Sequence, residues 1–131
     1  GLENPYAKEQ EAVHPYVHMD GQEVYKFATR QVPACIKDAL DKANLTVEDV
    51  DLFVLHQANV RIIESVAKRL KSDLSKFPMN LDKIGNMSSA TIPVLLDELN
   101  RDKKLKKGDR LVLSGFGAGL TYGASILVWG A

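Results

Sequence analysis

Residues 51–61 read DLFVLHQANVR, and this stretch determines the class of fold that the chain adopts. Residues 51–56 form an apolar run of strand length that ends at His56. The short cluster QAN follows, and apolar residues at helical spacing then begin at Val60. The stretch therefore predicts a strand, a tight turn and a helix.

Amphipathic helices are predicted on both sides of this unit. Upstream, residues 22–43 carry apolar residues at helical spacing, with Pro33 in the middle. Because proline removes a backbone donor and clashes with the preceding turn, we expect a kink or a break at Pro33. Downstream, Ser88 and Ser89 are candidate caps for a helix that tolerates Pro93 in its first turn.

The two ends of the chain differ in character. Residues 1–20 have two prolines, mixed charge and no period, which indicates an interior loop with a short strand at residues 16–19. Near the other end, residues 110–114 predict a strand, GFGAG at residues 115–119 predicts a bend, and a last strand follows near residues 122–129. This alternation of strands and helices predicts an α/β layered domain over residues 21–131.

Composition limits the classes of partner. The 131 residues suffice for one domain, and 45% hydrophobic content allows a real core. Seventeen basic residues balance seventeen acidic ones, so no global field attracts nucleic acid or a membrane. No apolar run approaches the ~20 residues that span a bilayer, and the first residues carry no signal-like stretch. We expect a cytoplasmic protein.

Cysteine and histidine are too sparse to predict a metal site. Cys35 is the only cysteine, so it forms no internal disulfide, which suits a reducing compartment. His14 and His18 are four residues apart, but Pro15 breaks the helix that would place them on one face. We expect neither a metal nor a cofactor.

Three polar or glycine-rich segments lie where α/β folds place ligand sites: HQAN at residues 56–59, GNMSS at 85–89 and GFGAG at 115–119. Each also has a structural interpretation. His56 can be a satisfied structural histidine, Asn59 a helix N-cap and Asn86 a turn residue in the left-handed conformation. The glycines can simply form a bend.

The order of these segments resembles one family. HQAN-x-R, GN-x-S-S-A and GFGAGLT-x-G, together with MDGQEVYKFA and LDELNRDKKLKKGD, are similar to the C-terminal half of ketoacyl-acyl-carrier-protein synthase III. The resemblance implies a thiolase-like fold, of which this chain is one half of a two-half layered α/β/α architecture. It implies catalytic roles for His56 and Asn86, an oxyanion-hole N–H from Ala118, and a nucleophilic cysteine in the N-terminal half, absent from this chain. Many members have glycine at the position of Ala118 and threonine at that of Met87.

His56 and Asn86, the pair implied by the resemblance, have the chemistry that a decarboxylating condensation requires. Decarboxylation of a malonyl thioester leaves an enolate, whose oxygen carries developing negative charge. A neutral imidazole N–H and a carboxamide NH₂ can stabilise that oxygen without a metal. The expected substrates are acyl-CoA and malonyl-acyl-carrier protein.

Basic residues suggest where a carrier protein binds. Arg61, Lys68 and Arg69 share a face of the helix that begins near Val60. These three and Lys26 match positions that the family uses for carrier docking, and Asn59 matches a residue near the pantetheine arm. A solvated helix face is the alternative for the cations. The other expected partners are the complementary N-terminal half and, for the whole enzyme, a second copy.

The expected function is therefore part of a 3-oxoacyl-acyl-carrier-protein synthase III, which condenses an acyl-CoA primer with malonyl-carrier protein to start fatty-acid synthesis. Two alternatives stay open: a noncatalytic acyl-thioester or carrier-protein binding module, and a condensing enzyme of secondary metabolism. Cys35 lies mid-helix on the apolar face, so we expect the chain alone to be inactive.

Overall fold

A three-stranded sheet with helices on both faces forms the centre of the protein. The computed structural model describes residues 19–130. The strands are β1 (Leu52–Leu55), β2 (Arg110–Gly117) and β3 (Thr121–Val128), in the order β1-β2-β3. The helices are α1 (Gly21–Lys42), α2 (Val60–Arg69), α3 (Leu81–Ile84) and α4 (Thr91–Arg101), with short 3₁₀ turns at Val47–Asp49, Leu74–Lys76 and Ser88–Ala90.

Successive strand residues pack into two separate cores. Phe53 and Val112 belong to the larger core, together with residues of α1 and α2. Val54 and Leu111 belong to the smaller core, together with residues of α4. Because side chains alternate between the two faces of a strand, each strand supplies both cores. The predicted α/β layering is confirmed.

The parallel pairing of β1 with β2 sets the position of everything that follows β1. Leu52 pairs with Leu111, and Leu55 pairs with Ser114. A parallel pair needs a crossover connection, which α2, α3 and α4 supply. β3 then returns antiparallel to β2. The ends of β1 and β2 therefore lie at the same edge of the sheet.

Helix α1 runs as one element through Pro33, so the expected break is wrong. Its inward face is fully buried on both sides of the proline, with Ala28, Val32, Ile36 and Leu40 each at most 2% exposed. Burial of this continuous apolar stripe holds the two halves of the helix together and offsets the hydrogen bond that proline removes.

The start of α4 differs from the prediction in one respect. Pro93 lies in the first turn, as predicted, but neither Ser88 nor Ser89 caps the helix. Both serines belong instead to the 3₁₀ turn that precedes α4, and the Ser88 N–H donates to the Asn86 side chain. The N-cap position of α4 is therefore taken by Ala90, whose side chain cannot accept a hydrogen bond.

The bend between the last strands is shorter than predicted. Residues 115–117 continue β2, where Gly115 pairs with Gly123 and Phe116 pairs with Tyr122, so only residues 118–120 form the turn. Antiparallel pairing satisfies the backbone of this glycine-rich segment and keeps it extended. Gly119 has φ of 135°, and a Cβ there would lie 2.8 Å from Cγ2 of Thr121.

Three predictions fall wholly or partly outside the described residues: the interior loop at residues 1–20, its strand at residues 16–19, and the His14 and His18 pair. Met19, which is described, does not belong to a strand. Among the helices of residues 19–130, none has the length and apolar character needed to cross a membrane.

Phe53 should be a major contributor to stability. It is 0% exposed and stacks on Phe77 with ring centroids 4.6 Å apart. We expect Phe53→Ala to lower the free energy of unfolding by about 3–5 kcal/mol, because it opens a cavity in the larger core. Urea denaturation measures the change. The control Leu74→Ala, at a side chain that is 44% exposed, should change it by only ~0.5 kcal/mol. Equal losses in both variants would contradict this assignment of the core.

Candidate active site

An open cavity lies at the edge of the sheet where β1 and β2 end. Its volume is about 360 Å³. Three separate segments form its wall, which is lined by His56, Asn86, Ser88, Ser89, Thr91, Ile92, Gly115, Phe116 and Gly117. His56 and Asn86, thirty residues apart in sequence, thus border the same space, together with part of the glycine-rich segment.

His56 is held from three directions. Its backbone N–H donates to the carbonyl of Ser114 at 2.9 Å, which extends the pairing of β1 with β2 by one residue. Its ring nitrogen Nδ1 lies 2.6 Å from the hydroxyl oxygen of Thr91. Phe116 meets the imidazole edge to face, with centroids 5.3 Å apart and an interplanar angle of 82°. The imidazole therefore has a defined orientation, and Nε2 has no hydrogen-bond partner among residues 19–130.

Burial lowers the pKa of His56, because a half-buried imidazolium loses part of its hydration. The side chain is therefore neutral near neutral pH. A neutral imidazole has one N–H and one bare nitrogen, so its chemistry depends on which nitrogen carries the proton.

Asn86 belongs to a tight turn before α4. Its side-chain oxygen accepts a hydrogen bond from the Ser88 N–H at 2.8 Å, which leaves the NH₂ as the group available to a ligand. The structural interpretation of Asn86 allowed it a left-handed conformation, but the residues of this segment with positive φ are its neighbours Gly85, at 66°, and Ser88, at 55°. For serine that conformation costs about 1–2 kcal/mol, so the turn holds Ser88 under strain beside the cavity.

A buried polar network behind the site was missed by the sequence analysis. Gln57 is 0% exposed, and its NH₂ donates to the carbonyl of Leu55 at 2.9 Å. Its side-chain oxygen accepts from the Asn80 N–H at 3.2 Å, and the Asn80 NH₂ donates to a Glu98 carboxylate oxygen at 3.2 Å. The network ties the end of β1 to the loop before α3 and to α4. The only signal in the sequence was a polar residue directly after a buried strand.

Ala118 does not line the cavity. It lies in the exposed turn after β2, where its carbonyl accepts from the Thr121 hydroxyl at 3.0 Å. Its neighbour Gly117 does line the cavity. Ala118 thus follows a lining residue in the chain but does not share the cavity wall with His56 and Asn86.

A second groove brings together three of the predicted binding residues. It has a volume of about 480 Å³ and is lined by Gly21, Gln22, Tyr25, Lys26, Asn59 and Arg61. The Arg61 guanidinium lies over the Tyr25 ring, 5.7 Å from its centroid. Asn59 is the N-cap of α2, and its side-chain oxygen accepts from the Arg61 N–H at 2.7 Å, which confirms the capping interpretation.

Lys68 and Arg69 do not line that groove. Both are exposed at the other end of the ten-residue α2, about 12–14 Å along the helix axis from its start. Arg69 borders a different groove, which it shares with Lys37 and Lys71. The predicted cations are therefore spread along α2, and only Arg61 of the three borders the groove with Asn59.

Cys35 has the properties of a packing residue. It is partly buried in α1, and burial raises the pKa of its thiol, with a smaller contribution from the negative charge of Asp38. A raised pKa disfavours the reactive thiolate. Cys35 is also not among the residues that line the cavity with His56.

The sequence matches one family over most of its length. The model of a family described as "3-Oxoacyl-[acyl-carrier-protein (ACP)] synthase III C terminal" matches residues 40–129. A relative from Lactobacillus helveticus (strain DPC 4571), named "Beta-ketoacyl-[acyl-carrier-protein] synthase III", is 49% identical over 127 residues. That match covers 97% of this chain and 39% of the relative, so the chain spans about two-fifths of the relative's length.

Solved structures of the same family are similar to this chain in fold. The chain superposes on beta-ketoacyl-[acyl carrier protein] synthase III from Thermus thermophilus with a TM-score of 0.89 and 39% identity, over 99% of this chain and 40% of that one. It also superposes on the priming beta-ketosynthase of the R1128 polyketide biosynthetic pathway, with a TM-score of 0.81 and 37% identity, over 86% and 34% of the two chains. These matches confirm the predicted thiolase-like α/β fold.

His56 should titrate below the ordinary histidine value of about 6.5. The folded protein then binds a proton at His56 less readily than the unfolded chain does. The contribution of His56 to the free energy of unfolding is therefore fully present above pH ~6.5 and is lost as the pH falls through the pKa of the folded state. Proton NMR of the imidazole C2–H follows the titration, and His56→Gln assigns the signal and removes that part of the pH dependence of unfolding. A midpoint above ~6.5 would contradict the burial argument.

Proposed function

Because the chain belongs to the family of 3-oxoacyl-[acyl-carrier-protein] synthase III C-terminal domains, we propose that it is part of an acyltransferase that condenses an acyl-CoA primer with malonyl-carrier protein, the step that starts fatty-acid synthesis. One observation carries the proposal: His56 and Asn86 border one cavity, and a hydrogen bond with a residue outside the reaction orients each side chain. Residues 21–131 are proposed to form the C-terminal thiolase-like domain of that enzyme.

The proposed chemistry begins with loss of carbon dioxide from the malonyl thioester. The bond between the carboxylate carbon and the α-carbon breaks, and its electron pair delocalises onto the thioester oxygen as an enolate. Nε2–H of His56 and the NH₂ of Asn86 donate hydrogen bonds to that oxygen. Each donor is worth about 2.7–4 kcal/mol in the transition state, if it resembles other oxyanion donors.

The neutral state of His56 suits this role. An imidazolium would stabilise the oxygen more strongly, but it is also a far better acid and would protonate the enolate carbon. The lowered pKa of His56 keeps the ring neutral, so it donates a hydrogen bond without giving up its proton. The carboxamide of Asn86 is neutral at all relevant pH values.

The carbon nucleophile then attacks the acyl group carried by a cysteine thioester. The new carbon–carbon bond forms as the thiolate leaves. Cys35 does not supply this sulfur, because its thiol pKa is raised and it does not line the cavity. The nucleophile is proposed to come from the remaining part of the enzyme. The Ala118 N–H is proposed to stabilise the carbonyl oxygen under attack, which requires the exposed turn at residues 118–120 to approach the acyl thioester.

The groove around Asn59 is the proposed binding site of the pantetheine arm. Lys26 and Arg61 place two cations at its wall, and Tyr25 supplies an apolar surface. Carrier proteins are acidic, so cations at the groove favour encounter and orientation. Lys68 and Arg69 extend the basic surface along α2 and are proposed to contribute to docking as exposed charges.

Several features of the whole enzyme are proposed on the same basis. It is expected to work as a homodimer in the cytoplasm, with acyl-CoA and malonyl-carrier protein as substrates and without a metal or a cofactor. A second candidate function is priming of a polyketide pathway, because the chain is also similar to the R1128 priming ketosynthase. The two functions use the same donors and differ in the acyl group that primes the reaction.

A chimera tests the proposed donors. The chain replaces the 127 matching residues of the Lactobacillus helveticus relative, and release of carbon dioxide from malonyl-carrier protein is measured. We expect activity in the chimera, and a loss of about 10²–10³-fold for His56→Ala and for Asn86→Ala. The control Asn100→Ala, at an exposed position on α4, should retain activity within about twofold.

The outcomes separate the alternatives. An active chimera that tolerates both donor substitutions would overturn the assignment of His56 and Asn86. A folded, inactive chimera that still binds malonyl-carrier protein would favour the noncatalytic binding module. Activity with acyl-CoA primers that the parent enzyme does not use would favour the secondary-metabolism candidate.

Charge reversal tests the docking surface. We expect Lys26→Glu and Arg61→Glu each to raise the KM for malonyl-carrier protein about tenfold at low salt, because each removes a favourable charge and adds a repulsive one. The rate at saturation should change much less. Lys104→Glu, in the exposed segment after α4, is the matched control and should leave KM unchanged. An equal effect in all three variants would show that only net charge matters, and would contradict a specific surface.

A further inference from the structure

We propose that Thr91 is a positioning residue that selects the tautomer of His56, by donating its hydroxyl proton to Nδ1 and so leaving the imidazole proton on Nε2. The inference rests on the proposed function, because only the Nε2–H tautomer can donate to an enolate oxygen in the cavity. Thr91 itself does not need to touch the substrate.

The two contacts of the Thr91 hydroxyl compete for one proton. The oxygen lies 2.6 Å from Nδ1 of His56 and 3.1 Å from the carbonyl oxygen of Ser88. A hydroxyl has a single proton to donate, so it serves one of these acceptors at a time. If the proton goes to Ser88, Nδ1–H must donate to the hydroxyl and Nε2 is bare. If it goes to Nδ1, Nε2 carries the proton.

The distances favour donation to His56. N–H···O hydrogen bonds are typically about 2.7–3.2 Å long, and O–H···O hydrogen bonds are about 2.5–3.0 Å long. The contact of 2.6 Å is shorter than the range expected if Nδ1–H donated to the Thr91 oxygen. The contact of 3.1 Å to Ser88 is long for an O–H donor. Both distances therefore favour the Thr91 hydroxyl, rather than Nδ1, as the donor of the hydrogen bond that joins them.

The surroundings of Thr91 make this contact persistent. The residue is 1% exposed and is the first residue of α4, so its hydroxyl does not exchange its partner for solvent. The Ser88 carbonyl at 3.1 Å belongs to the residue whose N–H donates to the Asn86 side chain. The segment that orients the carboxamide of Asn86 therefore also carries the hydroxyl that orients His56.

Nitrogen NMR tests the tautomer directly. The chain is labelled with ¹⁵N-histidine, and the two ring nitrogens of His56 are observed above its titration midpoint, with His56→Gln to assign them. We expect a protonated Nε2 and an unprotonated, hydrogen-bonded Nδ1 in the unmodified protein. Thr91→Val keeps the shape of the side chain and removes the hydroxyl, and it should give a mixture of tautomers. Thr91→Ser restores a hydroxyl and should restore the single tautomer.

Activity in the chimera gives a second measure. Thr91→Val should lower the rate of decarboxylation about 10- to 100-fold, as is common when the partner that orients a functional histidine is lost. Thr91→Ser should recover most of the rate. If Thr91→Val fails to fold, the tautomer of the unmodified protein still tests the inference, because a protonated Nδ1 there would contradict it.

The results that would overturn the inference differ from those that would overturn the proposed function. A protonated Nδ1 in the unmodified protein would contradict the role of Thr91, and so would full activity in a folded Thr91→Val protein. If His56→Ala and Asn86→Ala still abolish activity in either case, the proposed function stands and only the role of Thr91 falls.

Discussion

The parallel pairing of β1 with β2 is the constraint on which the rest of the structure depends. Its register places Leu55 opposite Ser114, and one further hydrogen bond joins the His56 N–H to the Ser114 carbonyl. His56 must therefore emerge beside the last part of β2, where Gly115 and Phe116 form the cavity wall. The crossover through α2 and α3 then returns the chain so that the start of α4 closes the same cavity. A change of register would separate these three segments.

The surroundings of His56 both hold the imidazole and set its charge. Packing against Phe116 and contact with Thr91 remove water from the ring, and this desolvation disfavours the imidazolium. The proposed reaction needs a neutral donor beside a developing anion, and burial suits that need, because opposite charges near the histidine would raise its pKa instead. The carboxamide of Asn86, fixed by a strained turn, supplies a second neutral donor.

Much of this arrangement could be predicted from sequence patterns and resemblance, and the failures have physical causes. Periodicity and side-chain chemistry predict the strand that ends just before His56, the helix capped by Asn59 and the apolar face of α4. Continuity through Pro33 could not be predicted locally, because it depends on burial against the sheet. The contact between Thr91 and His56 joins residues 35 apart and leaves no local signal. The hydrogen bond between Gln57 and Asn80 could not be predicted for the same reason, because Asn80 lies in a loop that is distant in sequence.

The convergence of His56 and Asn86 on one thioester oxygen is the central claim, and a structure of the chimera with a stable malonyl-thioester analogue tests it most directly. The predicted result is a thioester oxygen within about 2.7–3.2 Å of both Nε2 of His56 and the side-chain nitrogen of Asn86. The contradicting result is an analogue bound in the cavity with its thioester oxygen directed away from either nitrogen.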